Sequence, residues 1–164
     1  NDAMVAAAPH LAASGRAVSI THQTGERDLA RVRDGYAAAG LTATIEPFFH
    51  DMNRRMRAAD LVVARAGAST IAELTVLGRP SVLVPLPTAA DDHQRRNARA
   101  LAAAGAAEMI EESTLTGAGL AARLLALTSD LPALTRMAQA ARTLGRPDAA
   151  ARVADCVVAL GEGR

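Results

Sequence analysis

Lysine is missing altogether, and all 18 basic residues of the chain are arginines. That removes a Walker-type phosphate lysine and any Schiff-base mechanism from consideration. Tryptophan is also absent, and two phenylalanines and one tyrosine are the whole aromatic complement. With 18 basic against 17 acidic side chains the formal charge is +1. The chain therefore has neither the basic patch nor the stacking platforms that nucleic acid requires, and nucleic acid is not an expected partner. A single cysteine, Cys156, permits no internal disulfide and no cysteine-based zinc site. It falls in an apolar helical pattern near the C-terminus and is expected to be a buried structural thiol in a reducing cytoplasm. No run approaches the ~20 apolar residues of a membrane span, and no basic segment precedes an apolar one as in a signal peptide. A soluble or at most peripheral chain is expected, with no metal site among its residue spacings and no cofactor.

What is present is an alternation. The 164 residues, half of them hydrophobic, suit one well-filled domain over residues 1–164. Its organising stretch is Leu61 to Asn97, LVVARAGASTIAELTVLGRPSVLVPLPTAADDHQRRN. Two short apolar runs, Leu61–Ala64 and Ser81–Pro85, each end in a loop of small and polar residues that opens a helical pattern. That is the grammar of βαβ units, whose ligands sit beyond the carboxyl ends of the strands. The loops Arg65–Thr70 and Pro87–Gln94 are therefore expected to face each other.

Elsewhere the spacing predicts a helix over Asn1–Ala13, a strand over Arg16–Thr21, a loop at His22–Gly25 and a helix over Glu26–Ala39. Thr24 serves as a candidate N-cap of that helix and Gly40 as its C′ residue. A strand Leu41–Glu46 follows, rich in Thr and Ile, then a turn Pro47–His50 and a short helix Asp51–Ala59. Beyond the centre, a helix Ala89–Ala104 closed by Gly105 and a strand Ala107–Ile110 lead into helices Thr116–Leu127, Leu131–Leu144 and Pro147–Leu160. Pro147 suits a first turn and Gly145 a helix end. Five strands interleaved with helices imply an α/β fold, a Rossmann-like parallel sheet with helices on both faces. Such domains open with a strand, and here the opening strand is missing, so the sequence is expected to start inside a βαβ unit.

Chemistry must lie in the strand-end loops, and each admits two readings. In Ala66-Gly67-Ala68-Ser69-Thr70, small residues before a helix let backbone N–H groups approach an anion, with the helix dipole assisting. The same residues make a tight, unliganded strand-to-helix turn equally well. Glu73 is the fourth residue of a capping box if Thr70 is the N-cap, and spacing alone favours that role. If the helix starts earlier, the carboxylate faces the cleft and suits two ribose hydroxyls. Asp91-Asp92-His93-Gln94 is either a solvated helix end or a place where His93 and Gln94 hydrogen-bond sugar hydroxyls, braced by Asn97. His22 and Gln23 stand at the same edge, although no carboxylate lies near His22 in sequence to orient it as a base. Phe48 and Phe49 either line a slot for a planar base, read by backbone groups, or belong to the core.

The blocks His22-Gln23-Thr24-Gly25, Pro47-Phe48-Phe49-His50-Asp51-Met52, Ala59-Asp60-Leu61-Val62, Arg65 to Leu74, Asp91-Asp92-His93-Gln94 with Asn97-Ala98, and Pro147-Asp148-Ala149-Ala150, in this order, resemble the MurG family. These are the UDP-N-acetylglucosamine:N-acetylmuramyl-(pentapeptide) pyrophosphoryl-undecaprenol N-acetylglucosamine transferases of bacterial peptidoglycan synthesis. Any single block is weak evidence; the ordered set spans almost the whole chain.

The resemblance implies a GT-B glycosyltransferase of which this chain is the C-terminal, donor-binding half. It implies that the Phe49 backbone reads the uracil edge with Phe48 beside it. Ala68, Ser69 and Thr70, after Gly67, lie along the sugar–phosphate part of UDP-N-acetylglucosamine. Glu73 takes the ribose hydroxyls, which reverses the preference for the cap, and His93 and Gln94 contact the N-acetylglucosamine. The diphosphate-binding Gly-rich turn belongs just before Asn1. The acceptor site for the lipid-linked muramyl-pentapeptide, the catalytic base and the patch that meets the cytoplasmic face of the inner membrane belong to an N-terminal half. This chain alone is then expected to be inactive in an inverting transfer whose developing diphosphate charge is stabilised by helix-terminal N–H groups. A GT-B transferase with a different acceptor, the donor-binding subunit of a split enzyme, and a non-catalytic nucleotide-sugar-binding module are the alternatives.

Overall fold

Short β-branched and apolar runs separated by alanine-rich helices pair as two parallel ladders in the computed structural model, which describes residues 1–162. After helix α1 (Asp2–Ala13), strand β1 (Ile20–Gln23) pairs with β2 (Ala43–Glu46) on the far side of α2 (Leu29–Ala38). Helix α3 (Met52–Ala58) leads to the second ladder. There β3 (Val62–Ala64), β4 (Ser81–Leu83) and β5 (Ala107–Met109) lie side by side, connected by α4 (Ala68–Leu77) and α5 (His93–Ala103). Helices α6 (Gly117–Ser129), α7 (Leu131–Leu144) and α8 (Ala149–Glu162) complete the chain.

The expected elements are all found, several of them shorter than the sequence patterns suggest. β1 starts four residues later than predicted and absorbs His22 and Gln23, which are not in a loop. Among the described residues β1 and β3 do not pair with each other, so the strands form a two-stranded and a three-stranded parallel ladder. Alternation of helix and strand requires parallel strands, but it does not determine which strands are neighbours.

Side-chain alternation along β4 assigns the two faces of its ladder. Val82 joins Ala7, Ala8 and Leu11 of α1, Leu120 and Leu127 of α6, and Leu134 and Met137 of α7. Ile20 and Ile45 from the first ladder enter this same core, so one apolar mass supports both ladders. Leu83 points the other way, into a second core with Leu74 of α4 and with Ala98 and Leu101 of α5. Helices α1 and α6 pack so closely that a Cβ added to Gly117 would run into the Ala6 carbonyl.

Helix α8 departs from expectation. All its residues from Ala149 to Gly161 are exposed, Cys156 among them, so this thiol is not buried. The apolar periodicity that suggested burial is real, with Val153, Val157 and Leu160 on the helix, but no described element covers it. No helix among the described residues is long and apolar enough to cross a membrane.

Candidate functional site

Matched registers end β3, β4 and β5 at one level, at Ala64, Leu83 and Met109. The loops that follow are laced together by side chains. Gln94, in the first turn of α5, accepts with Oε1 from the Ala66 N–H at 3.3 Å and from the Leu86 N–H at 3.0 Å. Asn97, one turn further, donates from Nδ2 to the Ala66 carbonyl at 3.0 Å. Ala66 is thereby gripped through both its backbone groups from a single helix face, and the loops expected to face each other do so across Gln94. Arg65 extends the lacing to the 3₁₀ turn after β5, its Nη1 donating to the Val84 and Pro85 carbonyls at 3.2 and 3.3 Å and to Glu112 Oε2 at 2.6 Å. Arg65 carries no local signal in the sequence, because its partners lie 19 to 47 residues away. Arg95 adds a similar tie, bridging Asp92 and Glu111.

Helix α4 begins directly after this clamp. Gly67 is the N-cap, and the Ile71 N–H pairs with its carbonyl at 2.9 Å, so the N–H groups of Ala68, Ser69 and Thr70 lack intrahelical acceptors. They stand at the positive end of the helix dipole. Thr70 is thus the third residue of the helix rather than its cap, and the capping-box reading of Glu73 fails by one turn. Glu73 is exposed and forms no hydrogen bond or ion pair among the described residues. Gly67 itself has φ −66° and ψ 152°, open to any residue, and an added Cβ would meet nothing nearer than Thr70 Oγ1 at 4.0 Å. Neither backbone strain nor packing within the chain demands glycine there.

The helix predicted from Ala89 is broken. A 3₁₀ turn, Ala90–Asp92, carries positive φ at Asp91 and Asp92 (49° and 53°), and α5 starts only at His93. Asp tolerates that conformation better than most residues. His93 Nδ1 bonds the Ala90 carbonyl at 2.7 Å, which leaves Nε2 of this exposed ring unengaged.

On the first ladder the phenylalanines separate. Phe49 is 4 % exposed beneath the Arg55 guanidinium, which lies 3.9 Å from its ring centroid, whereas Phe48 is 61 % exposed and meets His50 edge-on. The core reading holds for Phe49 and not for Phe48. Gln23, the last residue of β1, accepts from the Phe49 N–H through Oε1 at 2.9 Å. Thr24 caps no helix: it is buried and donates to the Gly25 carbonyl, and α2 starts four residues later than its cap position required.

His22 is tied at both ring nitrogens. Its Nδ1 lies 2.9 Å from the Tyr36 hydroxyl and its Nε2 3.0 Å from Asn1 Oδ1. Burial lowers its pKa to about 4 and raises that of Tyr36 to about 12. A neutral ring accepting from Tyr36 and donating to Asn1 satisfies both contacts. No cluster of three or more His, Cys, Asp or Glu placed to hold a metal occurs among the described residues. A hollow of about 210 Å³ lined by Arg79, Leu134, Thr135 and Arg142 lies at the opposite edge, before β4, and away from all these loops.

A model of the glycosyltransferase family 28 C-terminal domain matches residues 1–153. The UDP-N-acetylglucosamine--N-acetylmuramyl-(pentapeptide) pyrophosphoryl-undecaprenol N-acetylglucosamine transferase of Anaeromyxobacter sp. (strain Fw109-5) is 50 % identical over 160 residues, covering 98 % of this chain and 42 % of that protein. The protein of the same name from Rhodospirillum centenum is 51 % identical over 150 residues, covering 90 % of this chain and 40 % of its own length. A crystal structure of Acinetobacter baumannii MurG superposes with a TM-score of 0.81 at 37 % identity, over 94 % of this chain and 47 % of that one. The chain thus spans about two fifths of the length of these curated relatives.

Proposed function

Because the chain belongs to the glycosyltransferase family 28 C-terminal domains, we propose that it is the donor-binding half of a MurG-type enzyme. The reaction transfers N-acetylglucosamine from UDP-N-acetylglucosamine to undecaprenyl-diphosphate-linked N-acetylmuramyl-pentapeptide, with inversion. The observation that carries this reading is the identity of about 50 % over almost the entire chain to relatives bearing that activity in their names. A lipid-linked acceptor puts the work at a membrane surface, the cytoplasmic face of the bacterial inner membrane, reached through the acceptor half. That half also supplies the catalytic base.

In this reading the carboxyl edge of the ladders holds the donor. The free N–H groups of Ala68, Ser69 and Thr70 face its phosphate and sugar oxygens, where the α4 dipole favours negative charge, and Gly67 leaves room for their close approach. Glu73, unengaged within the chain, accepts from the ribose hydroxyls. Gln94 donates from its amide nitrogen to an N-acetylglucosamine hydroxyl, with His93 beside it. The Phe49 backbone reads the uracil edge, and the exposed ring of Phe48 flanks the base.

Glu73→Gln tests the assignment in the full-length protein. The amide keeps the shape but weakens charge-assisted acceptance from two hydroxyls, so donor affinity should fall by roughly 1.5–3 kcal/mol. The melting temperature should not change, because Glu73 holds nothing within the fold. Calorimetry that finds donor affinity unchanged would remove Glu73 from the site.

A further inference from the structure

A backbone N–H that awaits a ligand is normally left to water, but the Phe49 N–H is already taken by a side chain. Gln23 Oε1 accepts from it at 2.9 Å. The two partners differ in freedom. The peptide of Phe49 is held by its buried ring, by Arg55 above that ring, and by the 2.6 Å bond from Arg55 Nε to Asp51. Backbone pairing continues past the β1–β2 ladder, with the Thr24 N–H on the Glu46 carbonyl and the Gly25 N–H on the Pro47 carbonyl, each at 3.0 Å. These bonds do not involve the Gln23 side chain and persist when it turns away. Gln23 itself is exposed, so rotation about its side-chain bonds moves it into water at little cost. Its amide also presents a carbonyl acceptor next to an N–H donor, the same order that the imide edge of uracil presents.

We infer that the Gln23 amide is a built-in competitor for the base: it occupies the Phe49 N–H, and a uridine nucleotide reading that N–H must displace it. This rests on the proposed donor site and adds regulation of its affinity. Entry of the base exchanges one hydrogen bond for another. The base contact therefore confers selectivity with little net affinity, which favours release of the nucleotide product. Gln23 is a residue that tunes affinity, and its role is independent of the acceptor chemistry.

The experiment titrates UDP, ADP and inorganic pyrophosphate into the full-length protein and into its Gln23→Ala and Gln23→Glu variants. Loss of one competing hydrogen bond predicts UDP binding about two- to tenfold tighter in Gln23→Ala. Gln23→Glu, whose carboxylate is a stronger acceptor, predicts weaker UDP binding, by more than any change in pyrophosphate binding. Pyrophosphate, which has no base, should bind wild type and Gln23→Ala alike. Unchanged or weaker UDP binding in Gln23→Ala, in a protein that still prefers UDP to ADP, overturns the competition and leaves the donor site standing. A wild-type protein without preference for UDP over ADP overturns the base assignment, and the competition falls with it.

Discussion

Gln94 commits its side-chain oxygen to two backbone N–H groups, so only its amide nitrogen remains to meet a ligand. That division makes the two roles separable. Gln94→Glu keeps an acceptor for Ala66 and Leu86 and deletes the donor. Its urea-unfolding free energy should stay near that of wild type, while affinity for UDP-N-acetylglucosamine falls by about 0.5–1.5 kcal/mol. Gln94→Ala leaves two N–H groups without their partner and should lose about 1–3 kcal/mol of stability as well. Equal destabilisation by both variants would mean that the oxygen is not the clamp. Glu73 gives the complementary lesson. Its sequence neighbours spell a capping box, and its role turns on whether α4 starts at Ala68 or three residues later. Local spacing favours the later start, and the grip of Gln94 and Asn97 on Ala66 accompanies the earlier one.

Among the elements, α1 and α6 show how much of a helix pair is invisible to periodicity. Thr116-Gly117-Ala118-Gly119 reads as a capped helix start, and the Thr116 Oγ1 does accept from the Gly119 N–H at 3.0 Å. The reason for Gly117 lies elsewhere, in the Ala6 backbone that occupies the space a Cβ would need. Alanine is the better helix former by about 1 kcal/mol, so propensity alone predicts that Gly117→Ala stabilises. Overpacking typically costs about 1–3 kcal/mol, and here the obstacle is a main-chain carbonyl that cannot swing aside. Gly117→Ala should therefore lower the urea midpoint. A raised midpoint would show that α1 and α6 are not in this contact. Helix α8 shows the converse, since its amphipathic pattern identifies a helix with an apolar face but not what that face meets.

For the whole molecule, the network of Tyr36, His22 and Asn1 links α2, β1 and the residue before α1, and it makes stability depend on pH. His22 titrates near 6.5 in an unfolded chain and near 4 in the fold. Between those values the unfolded state binds more protons, so stability rises with pH across the window. The contribution is complete above about pH 6.5 and is lost as pH falls through the window towards 4. Carboxylates held below their usual range, such as Asp51 beneath the hydrogen bonds of Arg55 and Arg54, act at lower pH and do not obscure it. His22→Gln removes the titrating ring. Its unfolding free energy should change less between pH 7 and pH 4.5 than that of wild type, and an identical pH profile would show that the ring does not titrate in the unfolded chain alone.

The sequence by itself determined the class of this molecule. Alternating β-rich runs and alanine-rich helices with glycine at their ends require parallel strands covered by helices, because local propensity and hydrophobic period act over a few residues and are written there. The ordered polar blocks likewise marked the strand-end loops and the family. Only the tertiary structure decided that His22 is tied at both ring nitrogens, that Phe49 is core while Phe48 is surface, that Cys156 is exposed, and that Arg65 ties three loops together. Each of these depends on contacts between residues far apart in the chain. Their energy comes from burial and from hydrogen-bond geometry that no local pattern encodes.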